Sequence, residues 1–561
     1  MRKIALAAAG IFLFGLASCT TFNPEGRMQN AMNAISPVSL LAEIKTLSSD
    51  DFEGRKPGTE GGKKAVAYME DQFKKLGLKP GNPNKTYRQD VPLAGIISNP
   101  AAQFAVNGHA LPAQFKKDFI AVSQHYAPHV DVKDSDIVFV GYGVSAPEYD
   151  WDDYKGVDVK GKTLLMLVND PQIPDPNDPT KLDDSMFKGR AMTYYGRWTY
   201  KYEIAAQKGA AAVMIIHETN MAGYSFSVVV DSWGGENFTI DDANNEKTVP
   251  VQGWFTYDKA AELCKAAGLD LAALKANALQ KDFKPVTLPG AKATFHIENT
   301  LRKIQSQNVV AKLEGSDPAR NNEYVIYTAH WDHLGRDPSL PGDQIYNGAV
   351  DNASGSAGLI EIARAYTKLF PRPKRSILFL SVTAEEQGLL GAEYYAEHPL
   401  YPLKYTLADI NMDGLNVWGR TRDMVLIGLG NSDLDDIATD VLKSHGRTVK
   451  GDAEPEKGFF YRSDHFEFAK EGVPALDPDQ GVDYIGKPAE YGKQKRDYYT
   501  EHDYHKPSDE VKPDWDLSGA VEDLQVFFEI GNRVADGEYY PLWKPGTEFK
   551  ARRDEMMKSN K

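Results

Sequence analysis

Cysteine is almost missing from this 561-residue sequence. Only Cys19 and Cys264 occur, and Cys19 lies close to the N-terminus. With so few thiols, a disulfide framework and a metal–thiolate cluster are both excluded. Cys264 lies in a helical pattern of small apolar residues, so we predict that it is buried and packs as an apolar side chain.

An excess of positive charge is missing as well. The 64 Lys and Arg residues are outnumbered by 79 Asp and Glu residues, which leaves a formal net charge of −15. This balance argues against nucleic acid or an anionic membrane surface as a partner. The composition, 42% hydrophobic and 25% charged, is ordinary for a globular protein, and the length predicts more than one domain.

The sequence also lacks an apolar run long enough to span a bilayer comfortably. The apolar residues 4–16 follow Arg2 and Lys3, a pattern typical of an export signal. Residues 16–19, Leu-Ala-Ser-Cys, resemble a bacterial lipobox, in which cleavage leaves a lipidated cysteine. We therefore predict a lipoprotein signal peptide at 1–18 and an exported protein that meets the membrane only through the lipid on Cys19. Thr20 follows instead of a retention-type Asp, which favours the outer membrane if the cell is Gram-negative.

From residue 307 onward, strand and helix patterns alternate. Short β-branched and aromatic runs are predicted as strands at 308–313, 324–329, 376–382, 406–412 and 424–429. Amphipathic helices are predicted at 353–369, 391–398, 432–446 and 517–534. This alternation predicts an α/β fold with a mostly parallel, doubly wound sheet and helices on both faces.

Imidazoles and carboxylates follow these strands in order. The set comprises His330, Asp332, Asp351, Glu385, Glu386 and Asp413, with His465 and His505 near the end. Such groups at one sheet edge repel and desolvate one another unless a cation holds them together. Imidazole with carboxylate suits Zn²⁺. Two histidines and three carboxylates suffice for two ions that share one bridging Asp.

These motifs resemble those of the co-catalytic di-zinc exopeptidases, which include bacterial leucyl-type aminopeptidases and glutamate carboxypeptidase. The resemblance covers residues 36–130 and 290–535 and rests on His330-X-Asp332, Asp351-Asn-Ala-Ser-Gly, Glu385-Glu386, Asn411-Met-Asp413 and Tyr504-His505 with Asp509. It implies two Zn²⁺ per chain and a peptide substrate. In this family the peptide bond at Asp351–Asn352 tends to be cis.

The resemblance also implies roles for single residues. His330 and Glu386 are expected to hold one zinc, Asp413 and His505 the other, and Asp351 to bridge them. Glu385 is expected to be the general base and Asp332 to orient the His330 ring. Tyr504 is a candidate donor to the oxyanion, and His465 is the alternative to His505 as the last ligand.

The chain therefore divides into a signal peptide (1–18), a tether (19–35), a catalytic domain in two parts (36–130 and 291–540) and a polar tail (541–561). The intervening β-rich block, 131–290, resembles a protease-associated domain, because residues 147–162 are similar to such inserts in secreted zinc peptidases. Its aromatic stretch 192–202 is either core or the lining of a substrate cleft.

The predicted function is a di-zinc aminopeptidase. A glutamate-carboxypeptidase-like enzyme is the main alternative, and it would need a basic group, such as Arg197 or Arg462, to hold the substrate carboxylate. A glutaminyl-cyclase-like transferase, which uses one zinc, and a receptor-like non-enzyme share the fold. They are disfavoured because all five ligand positions and the base are filled.

Overall fold

The computed structural model describes residues 24–241 and 248–558. The predicted signal peptide and Cys19 lie outside the described residues. Within these two ranges, no helix combines the length and the apolar character needed to cross a membrane.

A central sheet organises the larger unit, which we call the main unit. Its neighbouring strands Thr406–Asn411, Tyr324–His330 and Ser376–Val382 run parallel. The order from one edge is Thr448–Gly451, Asp423–Ile427, Ala475–Asp479, Thr406–Asn411, Tyr324–His330, Ser376–Val382 and the end of Val286–Leu313. The strand Asp423–Ile427 is antiparallel to Ala475–Asp479, so the sheet is mostly rather than wholly parallel.

Helices cover both faces of this sheet. Alternate residues of Tyr324–His330 point to opposite sides: Val325 and Tyr327 pack in one apolar cluster, Tyr324 and Ile326 in another. The main-unit helices are Pro24–Met32, Pro37–Leu47, Glu60–Lys75, Gly355–Lys368, Leu390–Glu397, Asp433–Ser444, His465–Lys470, Tyr491–His502, Ser518–Asp536 and Lys550–Lys558. The predicted doubly wound α/β fold is confirmed.

Two long antiparallel strands, Arg88–Val106 and Val286–Leu313, join the main unit to a second unit, which we call the insert unit. The far end of this ribbon pairs with His129–Phe139 and so continues the sheet. The other insert strands are His109–Leu111, Phe119–Val122, Thr163–Leu167, Ala212–His217, Glu236–Ile240 and Val251–Thr256. The insert helices are Trp198–Gln207, Thr219–Ala222, Phe226–Trp233, Tyr257–Ala266 and Leu271–Ala278.

Three predicted boundaries need correction. The insert unit begins before residue 131, because Phe119–Val122 pairs with Val251–Thr256 at the edge of its sheet. The tether 19–35 contains the helix Pro24–Met32, and Ala31 and Met32 are buried in the main core. The polar tail 541–561 holds the buried Trp543 and Phe549. In each segment a few apolar side chains pack against parts of the fold that are distant in sequence. The local sequence therefore does not indicate that the segment is buried.

Two expectations about the insert unit can be compared with the structure. Cys264 is a free, buried thiol whose pKa is raised to about 11 by burial, as predicted for an apolar packing role. In the aromatic stretch, Tyr195, Tyr200 and Tyr202 belong to the insert core. Tyr194 instead packs on Phe466 of the main unit, with ring centres 5.1 Å apart. The stretch is therefore core that also forms the contact between the units.

Candidate metal centre

The carboxyl ends of three neighbouring parallel strands bring the predicted residues together. His330 is the last residue of Tyr324–His330, Asp413 follows Thr406–Asn411, and Glu386 follows Ser376–Val382. Asp351 lies in the segment Ala349–Ser354, just before the helix Gly355–Lys368, and His505 follows the helix Tyr491–His502. In open α/β sheets, this edge is where ligand sites form.

The five predicted ligands form two groups that share Asp351. In the first group, His330 Nε2 lies 3.4 Å from Asp351 Oδ1 and 3.1 Å from Asp413 Oδ1. In the second, His505 Nε2 lies 3.1 Å from Asp351 Oδ2 and 3.1 Å from Glu386 Oε2. The two oxygens of Asp351 thus face different histidines, as a bridging carboxylate requires.

The predicted pairing of ligands was wrong. His330 was expected to share an ion with Glu386, and Asp413 with His505, but the structure groups His330 with Asp413 and Glu386 with His505. The strand that ends at His330 lies between the strands that deliver Asp413 and Glu386. A side chain at the end of a middle strand can turn to either neighbour, and the sequence does not say which.

Charge interactions are strong at this centre. Burial raises the pKa of Asp351, but hydrogen bonds with His330 and His505 outweigh it, and the pKa lies well below the usual value. Burial lowers the pKa of each histidine, but the neighbouring carboxylates raise both pKa values well above normal. The carboxylates therefore favour positive charge at this position, and a bound cation would compete with protons for the imidazole nitrogens.

The adjacent glutamates diverge. Glu385 Oε2 lies 3.9 Å from His330 Nε2, on the side of the first group, whereas Glu386 joins the second. Ala384, with φ of +56°, makes the turn that leads into this pair. Burial, with repulsion from Asp413 and Glu386, raises the pKa of Glu385 well above its usual value despite the opposing charge of His330. A carboxyl with a raised pKa beside a metal centre has the properties of a general acid–base group.

Asp332 lies behind His330. The backbone carbonyl of Asp332 is 3.2 Å from His330 Nδ1, and its carboxylate is 3.8 Å away. That carboxylate accepts a hydrogen bond from the backbone amide of Glu385. Asp332 therefore contacts His330 and also positions the backbone of Glu385. The Asp351–Asn352 peptide bond is cis.

The two remaining candidates differ in position. Tyr504 is 44% exposed, and its ring stacks on that of His505 with centres 3.9 Å apart, so it lies at the mouth of the centre. His465 is fully buried against Phe460, and its Nδ1 is 3.7 Å from Asp477. The structure does not bring His465 into contact with the shared Asp351, so it is not an alternative to His505.

His333 was missed as a close partner of the centre. It is buried, its Nδ1 lies 2.5 Å from Glu386 Oε1, and it forms a possible metal-binding group with Asp351 and Glu386. The signal was the His-X-Asp-His spacing, which places His333 three residues after His330.

Arg55 was also missed, although it holds the loops of the centre in place. Its buried guanidinium donates to the carbonyls of Leu47, Trp331, Asn347 and Gly348 at 2.6–2.9 Å. Trp331 follows His330, and Gly348 precedes the segment with Asp351. Asp509 completes this support by accepting hydrogen bonds from the amides of Val350 and Asp351.

Residues 308–528 match the family model for Peptidase family M28. This match covers less than half of the chain, and over these residues the chain resembles M28 peptidases. All five ligand candidates and Glu385 fall within this match. Members of this family are zinc-dependent, and the donor set of imidazole nitrogens and carboxylate oxygens fits zinc.

Curated proteins similar to this chain come from animals, fungi and plants. The chain is 33% identical to Aminopeptidase NAALADL1 of Mus musculus over 193 residues, which are 32% of this chain and 24% of that protein. It is 30% identical to Probable glutamate carboxypeptidase AMP1 of Arabidopsis thaliana over 206 residues, 34% of this chain and 26% of that protein. The matches thus span about a quarter of the length of these relatives.

A solved structure also aligns with this chain. It is described as Aminopeptidase from Aneurinibacillus sp. strain AM-1, and it is 19% identical, with a TM-score of 0.46. The alignment covers 93% of this chain and 97% of the other.

Proposed function

We propose that this protein is a zinc-dependent exopeptidase that uses two zinc ions, and more specifically an aminopeptidase that releases N-terminal residues from peptides. The observation that carries the proposal is the position of Asp351 between two ligand groups, one with His330 and Asp413 and one with Glu386 and His505. A shared carboxylate between two such groups is typical of two-metal hydrolytic sites.

The distances between the candidate ligands indicate which residues would bind the same ion. His330, Asp351 and Asp413 would hold one zinc, and Asp351, Glu386 and His505 the other. When bound, the ions would lower the pKa of a water molecule and polarise the substrate carbonyl. Their positive charge would also offset the carboxylate repulsion that raises the pKa of Glu385.

Glu385 performs the proton transfers in this proposal. Its carboxylate accepts a proton from the attacking water and then donates it to the amine of the departing product. Its position 3.9 Å from His330 Nε2 supports this role, because the group reaches the first ligand group without being one of its ligands. Tyr504, at the mouth, is proposed to donate a hydrogen bond to the negative charge that develops on the carbonyl oxygen.

A glutamate-carboxypeptidase-like exopeptidase is the second candidate. The match to a protein named Probable glutamate carboxypeptidase AMP1 supports it as much as the match to Aminopeptidase NAALADL1 supports the first. Both would use the same metal centre, and they differ in which terminus of the peptide is recognised.

A hydrolysis screen of the purified protein tests the proposal. Three matched peptides would carry a free N-terminus, a blocked N-terminus or an amidated C-terminus. An aminopeptidase cleaves the free and the C-amidated peptides but not the N-blocked one. A carboxypeptidase cleaves the free and the N-blocked peptides but not the C-amidated one. Failure to cleave any peptide in the zinc-loaded state would overturn the proposed function.

We also propose that the protein is exported and anchored through a lipid on Cys19, with peptides rather than nucleic acid as its partners. The lipobox-like residues 16–19 support the anchor. Metabolic labelling with palmitate should mark the wild-type protein and not Cys19→Ser. Equal labelling of both would contradict the anchor.

A further inference from the structure

One loop of the main unit combines an exposed aromatic side chain with basic ones. Residues 368–375, which we call the basic loop, contain four Lys and Arg residues and no acidic residue, in a chain whose formal net charge is −15. Phe370, near the start of this loop, is 84% exposed. Lys368 and Arg372 lie two residues to either side of it. Both are exposed, and neither forms an ion pair within the described parts of the chain.

A second exposed aromatic side chain lies beside the basic loop. Tyr539 is 86% exposed, and its segment contacts the loop through Lys374. The backbone amide of Lys374 donates to Asp536 at 2.9 Å, and its ammonium group donates to Glu538 at 2.5 Å. Phe370 and Tyr539 are the two most exposed large apolar residues of the described chain. A single exposed apolar residue is ordinary, but two of them beside unpaired cations indicate an interaction surface.

This surface lies at the edge of the sheet opposite to the metal centre. The basic loop leads directly into the strand Ser376–Val382, and Glu386 follows the other end of that strand. The helix Gly355–Lys368 runs between the same two edges, from the segment with Asp351 to the start of the basic loop. A strand of this length spans about 20 Å. A partner bound to the basic loop would therefore leave the metal centre open.

The first described helix reaches the same edge. Arg27, in the helix Pro24–Met32, forms an ion pair of 3.2 Å with Asp536, which also accepts the hydrogen bond from the basic loop. Only four residues separate this helix from Cys19, the residue that carries the lipid in the proposed anchor. Even when fully extended, a connection of this length spans no more than about 18 Å. The lipid would therefore enter a bilayer close to the basic loop.

We propose that this surface docks on a phospholipid bilayer with anionic head groups, with Phe370 and Tyr539 in the head-group region and Lys368 and Arg372 on lipid phosphates. Aromatic side chains favour the interface between hydrocarbon and water, and basic side chains are attracted to anionic lipids. The protein then meets the membrane through a protein surface as well as through the lipid on Cys19, and the metal centre faces away from the bilayer. This inference rests on the proposed export and extends the proposed anchor.

A fluorescent label on the basic loop tests the docking without the lipid. The chain has two cysteines, and Cys264 is buried, so in mature protein (19–561) with Cys19→Ser the thiol introduced by Phe370→Cys is the accessible one. After labelling with nitrobenzoxadiazole, vesicles of phosphatidylethanolamine and phosphatidylglycerol should shift the emission to shorter wavelength. Doxyl-labelled lipid should then quench it. Val228→Cys, at a 46% exposed position of the insert unit, is the matched control and should not respond.

Vesicle sedimentation of the same Cys19→Ser protein measures the contribution of single side chains. Phe370→Ala should lower the partition coefficient into these vesicles by about 10-fold. Arg372→Ala should lower it by about 5-fold, and this effect should shrink at high salt or with vesicles of phosphatidylcholine alone. Val228→Ala and Arg190→Ala, which change an exposed valine and an exposed ion pair, should leave it unchanged.

The possible outcomes separate this inference from the proposed anchor. A label at position 370 that does not respond to vesicles contradicts the docking, even if palmitate labelling establishes the lipid on Cys19. Equal responses at positions 370 and 228 show unspecific adsorption and also contradict it. A response at position 370 that needs no vesicles and grows with protein concentration would instead show a contact between two copies of this chain. Docking of the Cys19→Ser protein through position 370 supports the inference even if the lipid anchor fails its own test.

Discussion

The Nδ1 atom of His333 lies 2.5 Å from Oε1 of Glu386, while the other oxygen of Glu386 faces His505. One oxygen of the Glu386 carboxylate thus contacts the buried His333 ring, and the other oxygen faces the candidate metal centre. In the proposed function, His505 is therefore the ligand and His333 is the residue that positions Glu386. Such supporting partners typically change metal affinity by about 10- to 100-fold when they are removed.

The two histidines should therefore respond differently to substitution. His505→Ala removes a ligand of one ion only, so we expect metal analysis after dialysis to fall from two zinc ions to about one. His333→Asn should retain two ions but bind one of them about 10- to 100-fold more weakly in a chelator competition. Asp351→Ala, the control, should lose both. Two tightly held ions in His505→Ala, together with loss in His333→Asn, would reverse the assignment.

Glu385→Gln should separate metal binding from turnover. The amide keeps the size of the side chain but cannot accept a proton, so we expect kcat to fall by about 10²- to 10⁴-fold while the zinc content stays the same. The adjacent Glu386→Gln is the matched control, since it should lose zinc. A Glu385→Gln protein with wild-type kcat would remove this residue from the proton transfers.

Arg55→Met should destabilise the main unit. The substitution removes a donor from four buried carbonyl groups. The carbonyl of Gly348 keeps a hydrogen bond from the Ala353 amide, but the other three are left unsatisfied, and each such buried group costs about 1–3 kcal/mol. We expect a clear drop in Tm and weaker zinc retention, because Trp331 and Gly348 flank the ligand segments. Arg190→Met, which breaks only an exposed ion pair, should stay within about 0.5 kcal/mol of wild type. An unchanged Tm in Arg55→Met would contradict this role.

Asp153 gives the insert unit a defined pH dependence. Its carboxylate accepts hydrogen bonds from the Val144 amide and the Trp151 indole, but burial raises its pKa from 3.8 to about 6. Between pH 4 and pH 6 the folded state therefore binds more protons than the unfolded state, and stability falls as pH rises through this range.

Asp153→Asn lacks this titration. Relative to wild type, the free energy of unfolding of the variant should rise from pH 4 to pH 6.5 by up to about 3 kcal/mol, since one pKa unit corresponds to about 1.4 kcal/mol. Urea unfolding at a series of pH values, followed by tryptophan fluorescence, measures the difference. A constant difference across the range would show that Asp153 titrates normally.

The sequence predicted which residues belong to the candidate metal centre better than it predicted how those residues pair. Each of His330, Asp413 and Glu386 follows an apolar strand, and the parallel arrangement of those strands puts all three at one edge. Their pairing was wrong because strand order and side-chain direction are not local properties. His465 was the alternative to His505 as the last ligand, but helix His465–Lys470 buries it against Phe460.

Supporting residues were harder to predict, because their partners are distant in the chain. Arg55 reads as part of a turn, yet it donates to Trp331, 276 residues away. The contact between the two units is a second case, because it brings Tyr194 onto Tyr461.

The sequence by itself thus determined the α/β fold and the set of candidate ligands, because strand periodicity and residue chemistry are local properties. The expected role of Glu385 as base came from the resemblance to di-zinc exopeptidases. Only the tertiary structure decided which candidate ligands group together and that His333 contacts Glu386. Those relationships depend on strand order and on the packing of two units joined by one long ribbon. Neither is encoded in any single stretch of the chain.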